Sequence, residues 1–184
     1  MDIKNTEDRA GFTNSKEPIS PRPEVKLEPG IYIMHPLHGI GFVENFEEKE
    51  VLGQKCKFAI ISFQGDKLKM TINLNQKDNL VRNLICPEKV AEILSYIKNF
   101  ESDYPIKSSD RYNLNMKKIK SLDIIMLAQV IKDLTVLGKV KKLTPKELAM
   151  LKQSKKTMAS EFSFVSSTPI EDAEAMIDES CYIK

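Results

Sequence analysis

The hydrophobic period of this chain changes once, and that change restricts it to a small set of folds. Between Pro29 and Leu74 apolar residues alternate: Ile31 and Ile33 flank Tyr32, and Ile40, Phe42 and Val43 follow a glycine-spaced turn. Phe58 to Phe63 is a β-rich run, and Leu68, Met70 and Ile72 alternate against Lys67, Lys69 and Thr71. Period-two alternation of β-branched and aromatic residues predicts strands. The breaks carry turn chemistry at His38-Gly39, in a loop from Glu47 to Gly53, and at Gln64-Gly65-Asp66, which joins the last two strands as a hairpin. After Pro87 the period is helical. Val90, Ile93, Leu94, Ile97 and Phe100 mark one helix face. Glu101–Lys107, with Pro105, reads as an interdomain hinge, and Ser108 or Ser109 is placed to cap a helix from Asp110 to Lys120. A further helix presents Ile124, Leu127, Ala128, Ile131 and Leu134 and stops at Gly138. Thr144-Pro145-Lys146-Glu147 combines an N-cap, a proline at the first helical position and a capping-box glutamate, opening a helix of about five turns. Thr168-Pro169-Ile170-Glu171 repeats that signature before a short acidic helix with Ala173, Met176 and Ile177.

The expected fold class is therefore α+β. A leader (residues 1–28) precedes a small β module, a barrel or strongly bent sheet (29–86). A helix and linker (87–107) then lead to a compact all-α helical domain (108–184) with an acidic end. The leader holds Pro18, Pro21 and Pro23 among mixed charges without apolar periodicity and reads as flexible. At 184 residues and 41% hydrophobic composition the chain has enough apolar surface to build a packed core. Its longest apolar run, Ile124 to Val130, includes Gln129 and is too short to span a bilayer, and the N-terminus lacks the apolar stretch of a secretory signal. Cys56, Cys86 and Cys181 are too far apart for a metal clip and predict reduced thiols in a cytoplasmic protein.

Catalytic constellations are thin. His35 and His38 flank Pro36 in a turn with no further ligand nearby, and no phosphate-binding glycine loop or nucleophile elbow occurs. The expectation is a protein that is not an enzyme and needs no cofactor or metal. Charge is more informative: residues 101–164 carry 13 basic and 7 acidic groups, whereas 165–184 carry 1 and 5 and residues 30–100 are near balance. Lys139, Lys141 and Lys142 fill one helix connection, Lys152, Lys155 and Lys156 recur on the next helix, and Arg111, Lys117, Lys118 and Lys120 lie on the first helix of the module. Such a set suits a phosphate backbone rather than base edges. A solvated face whose lysine stems cover apolar surface is the alternative. The stretch Glu44–Glu50 continuing to Leu52 is polar with apolar interruptions, as in an edge hairpin; its charges either guard the edge or frame a protein contact.

The run Ile31-Tyr32-Ile33-Met34-His35-Pro36-Leu37-His38-Gly39-Ile40-Gly41-Phe42-Val43-Glu44 resembles the opening of the CarD/CdnL family of bacterial RNA polymerase-binding transcription regulators. Gly53, the Phe58–Phe63 strand and Lys67–Leu74 continue that pattern. Arg111-Tyr112, Ser121-Leu122-Asp123, Lys132-Asp133-Leu134 and Leu143-Thr144 through Glu147 to Glu161 resemble the family's helical domain, so the likeness covers about residues 29–180. The same polymerase-interacting module occurs in transcription-repair coupling helicases, but this chain has no Walker motif. The resemblance implies a Tudor-like β-barrel module docked on the polymerase β subunit. It also implies a helical domain that touches promoter DNA upstream of the bubble and stabilises the open complex without reading sequence. It places Lys49, Val51, Lys69 and Thr71 on the polymerase side, with Thr71 standing where the family carries a second basic residue. On the DNA side it places Arg111 and Ser108, the latter standing where family members often carry a tryptophan wedge, and the charge reading adds Lys139, Lys141, Lys142, Lys152, Lys155 and Lys156 to that side. The rival reading is a protein-only adaptor whose β module binds polymerase or another protein while the lysines are merely solvated.

Overall fold

A computed structural model of the chain describes residues 25–63, 68–76, 80–105 and 107–182. Most of the leader and the Gln64-Gly65-Asp66 turn lie outside these residues.

Five strands, β1 (Tyr32–His35), β2 (Gly39–Val51), β3 (Gln54–Phe63), β4 (Leu68–Asn73) and β5 (Arg82–Asn83), precede five helices. The helices are α1 (Lys89–Asn99), α2 (Ser108–Lys120), α3 (Ile124–Val140), α4 (Pro145–Ser166) and α5 (Ile170–Cys181). The α+β expectation holds, but the barrel does not. The paired strands form one antiparallel sheet in the order β4-β3-β2-β1-β5, and no β4–β5 pairing closes it among the described residues. A β-bulge between Val43 and Asn45 bends β2 instead.

One face of the sheet buries Ile33, Val43, Ala59, Ile61, Phe63 and Ile72, with Val81 beside them. Gly41 is required here by space. A Cβ at that position would lie 2.6 Å from Ile61 Cγ2 and 2.7 Å from the Phe63 ring. The segment from Glu47 to Val51, read above as a loop, is strand. It pairs residue for residue with Gln54–Phe58, and Leu52-Gly53 make the turn. Sequence alternation misses it because this end of the hairpin is solvated on both faces and buries no apolar row.

The helices share a second core that includes Val90, Ile93, Ile97, Ile131, Leu134, Met158, Phe162, Ala173 and Ile177. The α1 residues among these pack against α3 and α5, so α1 belongs to the helical module. Residues 101–107 accordingly connect two helices of one bundle and are not an interdomain hinge; the passage between modules lies at residues 84–88. The capping box at α4 is present in full, with Thr144 Oγ1 accepting from Glu147 N and Glu147 accepting from Thr144 N. The helix then runs 22 residues to a left-handed Ser167. The repeat of that signature at Thr168 is not a cap. Pro169 occupies the N-cap position without a side-chain bond, and Thr168 instead closes the preceding helix through its N–H to Ser163 O. Gly138 does not stop α3, which continues to Val140 with Leu143 packed beside the glycine.

The two modules meet along α4. Glu161 lies on the stripe that also carries Met158 and Phe162, and its carboxylate receives Arg82 Nη1 and Nη2 from β5 at 2.6 Å each. Ile85 N adds a third bond at 3.0 Å. Both side chains are buried, Glu161 completely. Gln153 Nε2 donates to Leu37 O at 3.1 Å, and the Tyr32 and Phe164 rings sit 4.7 Å apart.

Candidate functional site

Register decides which of the sheet residues can act together. On β3, Gln54, Cys56, Phe58, Ile60 and Ser62 point away from the core, since Ala59, Ile61 and Phe63 point into it. Val51 pairs with Gln54, Lys49 with Cys56, Thr71 with Ile60 and Lys69 with Ser62. Lys49, Val51, Lys69 and Thr71 therefore share the outward face, spread along the strands by about 13 Å between Lys49 and Thr71. All four are exposed. Lys69 donates to Glu44 at 2.8 Å, and that bond lowers the Glu44 pKa. Lys49 pairs with Glu47, also at 2.8 Å. The face is thus one of neutralised charge with Phe58 and Ile60 half-buried between the ion pairs.

The residues expected on DNA are not brought together in the same way. Arg111 is a correction. Its side chain is 3% exposed, its Nε and Nη2 donate to Glu147 Oε1 at 2.9 and 2.7 Å, and Nη1 donates to Pro105 O. Glu147 is the capping-box residue of α4, so one carboxylate fastens both the helix start and α2. Burial works against its ionisation, but the Thr144 and Arg111 bonds outweigh this and hold its pKa below the usual value. Arg111 is therefore a packing residue, turned inward by a partner that sequence spacing does not reveal. Ser108, half-buried, is the first residue of α2.

The six lysines divide. Lys155 pairs with Asp178 of α5 and is about a quarter exposed. Lys139 Nζ lies 4.7 Å from the Tyr182 ring at the end of α5, and Lys141 and Lys142 are exposed in the adjoining loop. Lys152 and Lys156, one turn apart on α4, are exposed, and Lys156 lines an open groove of about 250 Å³ between α4 and the sheet. Tyr32, Phe42 and Phe164 form the groove's aromatic wall; His38, Gln153 and Ser160 supply polar atoms. Sequence reasoning missed this groove because its wall joins strand and helix residues more than a hundred positions apart. It also missed Arg82 and Glu161, although a glutamate inside the α4 apolar stripe is a readable sign of a buried pair.

The two histidines form a turn rather than a metal site. His35 Nδ1 accepts from Leu37 N and His38 N at 3.2 Å each. Burial, with His38 beside it, lowers the His35 pKa to about 4. Among the described residues no group of three or more His, Cys, Asp or Glu is arranged to hold a metal ion. No helix of the described residues is long and apolar enough to cross a membrane. The cysteines are unpaired, and burial raises the Cys181 pKa.

Comparison with known proteins matches both modules separately. Residues 27–85 match the CarD-like/TRCF RID domain, and residues 92–178 match the CarD C-terminal domain. The second match begins within α1, in agreement with the packing of that helix in the bundle. YdeB of Bacillus subtilis (strain 168), provisionally named a transcription factor, is 28% identical over 137 residues, which is 74% of this chain and 90% of YdeB. The RID domain is the RNA polymerase-interacting module shared with transcription-repair coupling factors, and both matched families are transcription regulators. With the two domains in this order over nearly all of the described fold, the chain belongs to the CarD-like family of RNA polymerase-interacting transcription regulators.

Proposed function

We propose that this protein is a non-enzymatic bacterial regulator that binds the RNA polymerase β subunit through the outward sheet face and contacts promoter DNA upstream of the bubble through its lysines, stabilising the open complex. The observation that carries the reading is the pairing of two unlike surfaces on one body. A charge-neutralised sheet face bearing Lys49, Val51, Lys69 and Thr71 suits a protein partner. The exposed lysines 139, 141, 142, 152 and 156 suit a phosphate backbone. Arg82–Glu161 fastens one module to the other. These positions are lysines, with no Arg or Asn cluster at a helix start to pair with base edges, so the contact proposed is with backbone and shape. A factor that touches open promoter more than closed shifts that equilibrium by the difference in affinity alone.

Binding of the full chain to the isolated β-subunit lobe, beside Lys49→Glu, tests the first contact. The expected result is binding that the variant weakens. Open-complex lifetime with Lys152→Glu/Lys156→Glu and with Lys139→Glu/Lys141→Glu/Lys142→Glu tests the second. A salt-sensitive loss of lifetime with polymerase binding intact supports DNA contact. The protein-only adaptor is favoured by one observation, the engagement of Arg111 and Lys155 by carboxylates of this chain, Arg111 buried on Glu147 and Lys155 at the surface on Asp178. Unchanged lifetimes in both lysine variants would establish it.

A further inference from the structure

The β2–β3 hairpin extends past the rest of the sheet. Pairing with β4 ends at Phe58 and pairing with β1 ends at Phe42, whereas β2–β3 pairing continues from Glu48–Lys57 to Val51–Gln54. The first of these pairs is still tied to the β4 side by Leu74 N donating to Lys57 O, and among the described residues the three pairs beyond it project about 10 Å as a two-stranded arm. Its stem is charged, with Glu48, Lys49, Glu50, Lys55 and Lys57 exposed, but its tip is apolar. Val51 is 43% exposed and Leu52 is 99% exposed.

Leu52 is also in the wrong conformation for a leucine. Its φ is +52° and that of Gly53 is +76°, so both residues of the two-residue turn are left-handed. This turn favours Asn, Asp or Gly at its first position, because a branched carbon side chain is strained there. Space is not the reason for the choice; a Cβ added at Gly53 would meet nothing within 4 Å. Leu52 thus bears backbone strain and exposes its side chain, and among the described residues almost no contact offsets either. Strain retained at an exposed apolar tip indicates a use outside the folded chain.

Resting on the polymerase-binding reading above, we infer that Leu52 is an anchor that inserts, with Val51 beside it, into an apolar pocket of RNA polymerase. The hairpin bears Lys49 and Val51 of the outward face, so the tip continues that surface. Its charged stem suits the polar rim that surrounds such a pocket.

Leu52→Asn separates this role from a structural one, because asparagine relieves the turn while removing the anchor. The expected result is a Tm equal to or above wild type together with polymerase affinity reduced about tenfold or more, the effect of withdrawing a buried leucine. Leu52→Met should keep affinity near wild type. An Asn variant that binds polymerase within twofold of wild type, while Lys49→Glu binds weakly, would overturn the anchor and leave the binding face standing. No binding by folded wild type would overturn the face and the anchor with it. A fall in Tm for the Asn variant would refute the strain argument. Should wild type self-associate and Leu52→Asn abolish only that, the tip belongs to a second copy of the chain and the inference fails.

Discussion

Replacing Arg82 by methionine should be among the most damaging single changes in the chain. The substitution leaves the Glu161 carboxylate fully buried with one remaining donor, Ile85 N at 3.0 Å, after losing two bonds of 2.6 Å. Removing one partner of a buried ion pair costs about 3–5 kcal/mol, most of it the desolvation of the charge left behind. For a protein of 184 residues each kcal/mol moves Tm by roughly 2–4 °C, so the expected fall is roughly 6–20 °C. Glu161→Leu should cost a similar amount by stranding the guanidinium. The pair Arg82→Met/Glu161→Leu removes both charges and fills the site with apolar groups, so it should recover most of the loss. Urea unfolding of the four proteins, followed by far-UV circular dichroism, gives the coupling energy directly. Singles that cost under about 1 kcal/mol, or a double variant that is simply their sum, would refute the claim that this pair is a desolvated clamp.

Two other sites give separate tests. The His35 pKa is about 4 in the folded protein against 6.5 ordinarily, so between those values the unfolded chain holds more protons. The stability from this residue is complete above pH 6.5 and is lost as pH falls toward 4, by about 3 kcal/mol. His35→Asn keeps an acceptor for the turn N–H groups but cannot titrate, and its pH–stability curve should be flatter than wild type by that amount; parallel curves would contradict the assignment. Gly41→Ala should destabilise by about 1–3 kcal/mol through overpacking against Ile61 and Phe63, measured in the same urea titration, and an unchanged midpoint would show that the sheet yields there.

Where burial and periodicity coincide, sequence reads well. Ile31 to Phe63 yields the core strands because one face is packed and a one-residue slip would turn Ile33, Val43 and Ile61 to water. Thr144 to Glu147 yields a helix start because capping is local chemistry. The failures share a different cause. The distal hairpin buries nothing, so Glu47–Val51 has no alternation to read and only the pairing partner makes it a strand. Arg111 looks like a surface cation because its partner Glu147 is 36 residues away. Arg82 and Glu161 are 79 residues apart, and their union is a property of how the modules dock. Among the candidate contacts, alternation in the sequence places only Lys69 and Thr71 on one strand face; that Lys49 and Val51 share this face follows from the β2–β3 and β3–β4 register, which the structure supplies. The lysines sit on separate helices and a loop, and no one-dimensional rule sets their relative directions.

That division bears on how weak DNA contact can have an effect. Each phosphate neutralised contributes a salt slope of about −0.9, so the exposed lysines 139, 141, 142, 152 and 156 limit the slope to roughly −4 to −5 even if all of them engage. On the proposed function, such a face would bind DNA feebly and without preference by itself. Attached to polymerase, the same face meets promoter DNA at an effective concentration set by geometry, which reaches the millimolar range and disappears when the geometry forbids both contacts. On the proposed function, sequence-independent lysines therefore act only where polymerase already stands. The orientation of the helical module relative to the sheet then matters as much as the lysines themselves. The Arg82–Glu161 pair, bidentate and supported by Ile85 N, holds that orientation more narrowly than apolar packing does. Arg82→Met/Glu161→Leu recovers stability without recovering that directionality, which separates what the pair does for folding from what it does for the two contacts.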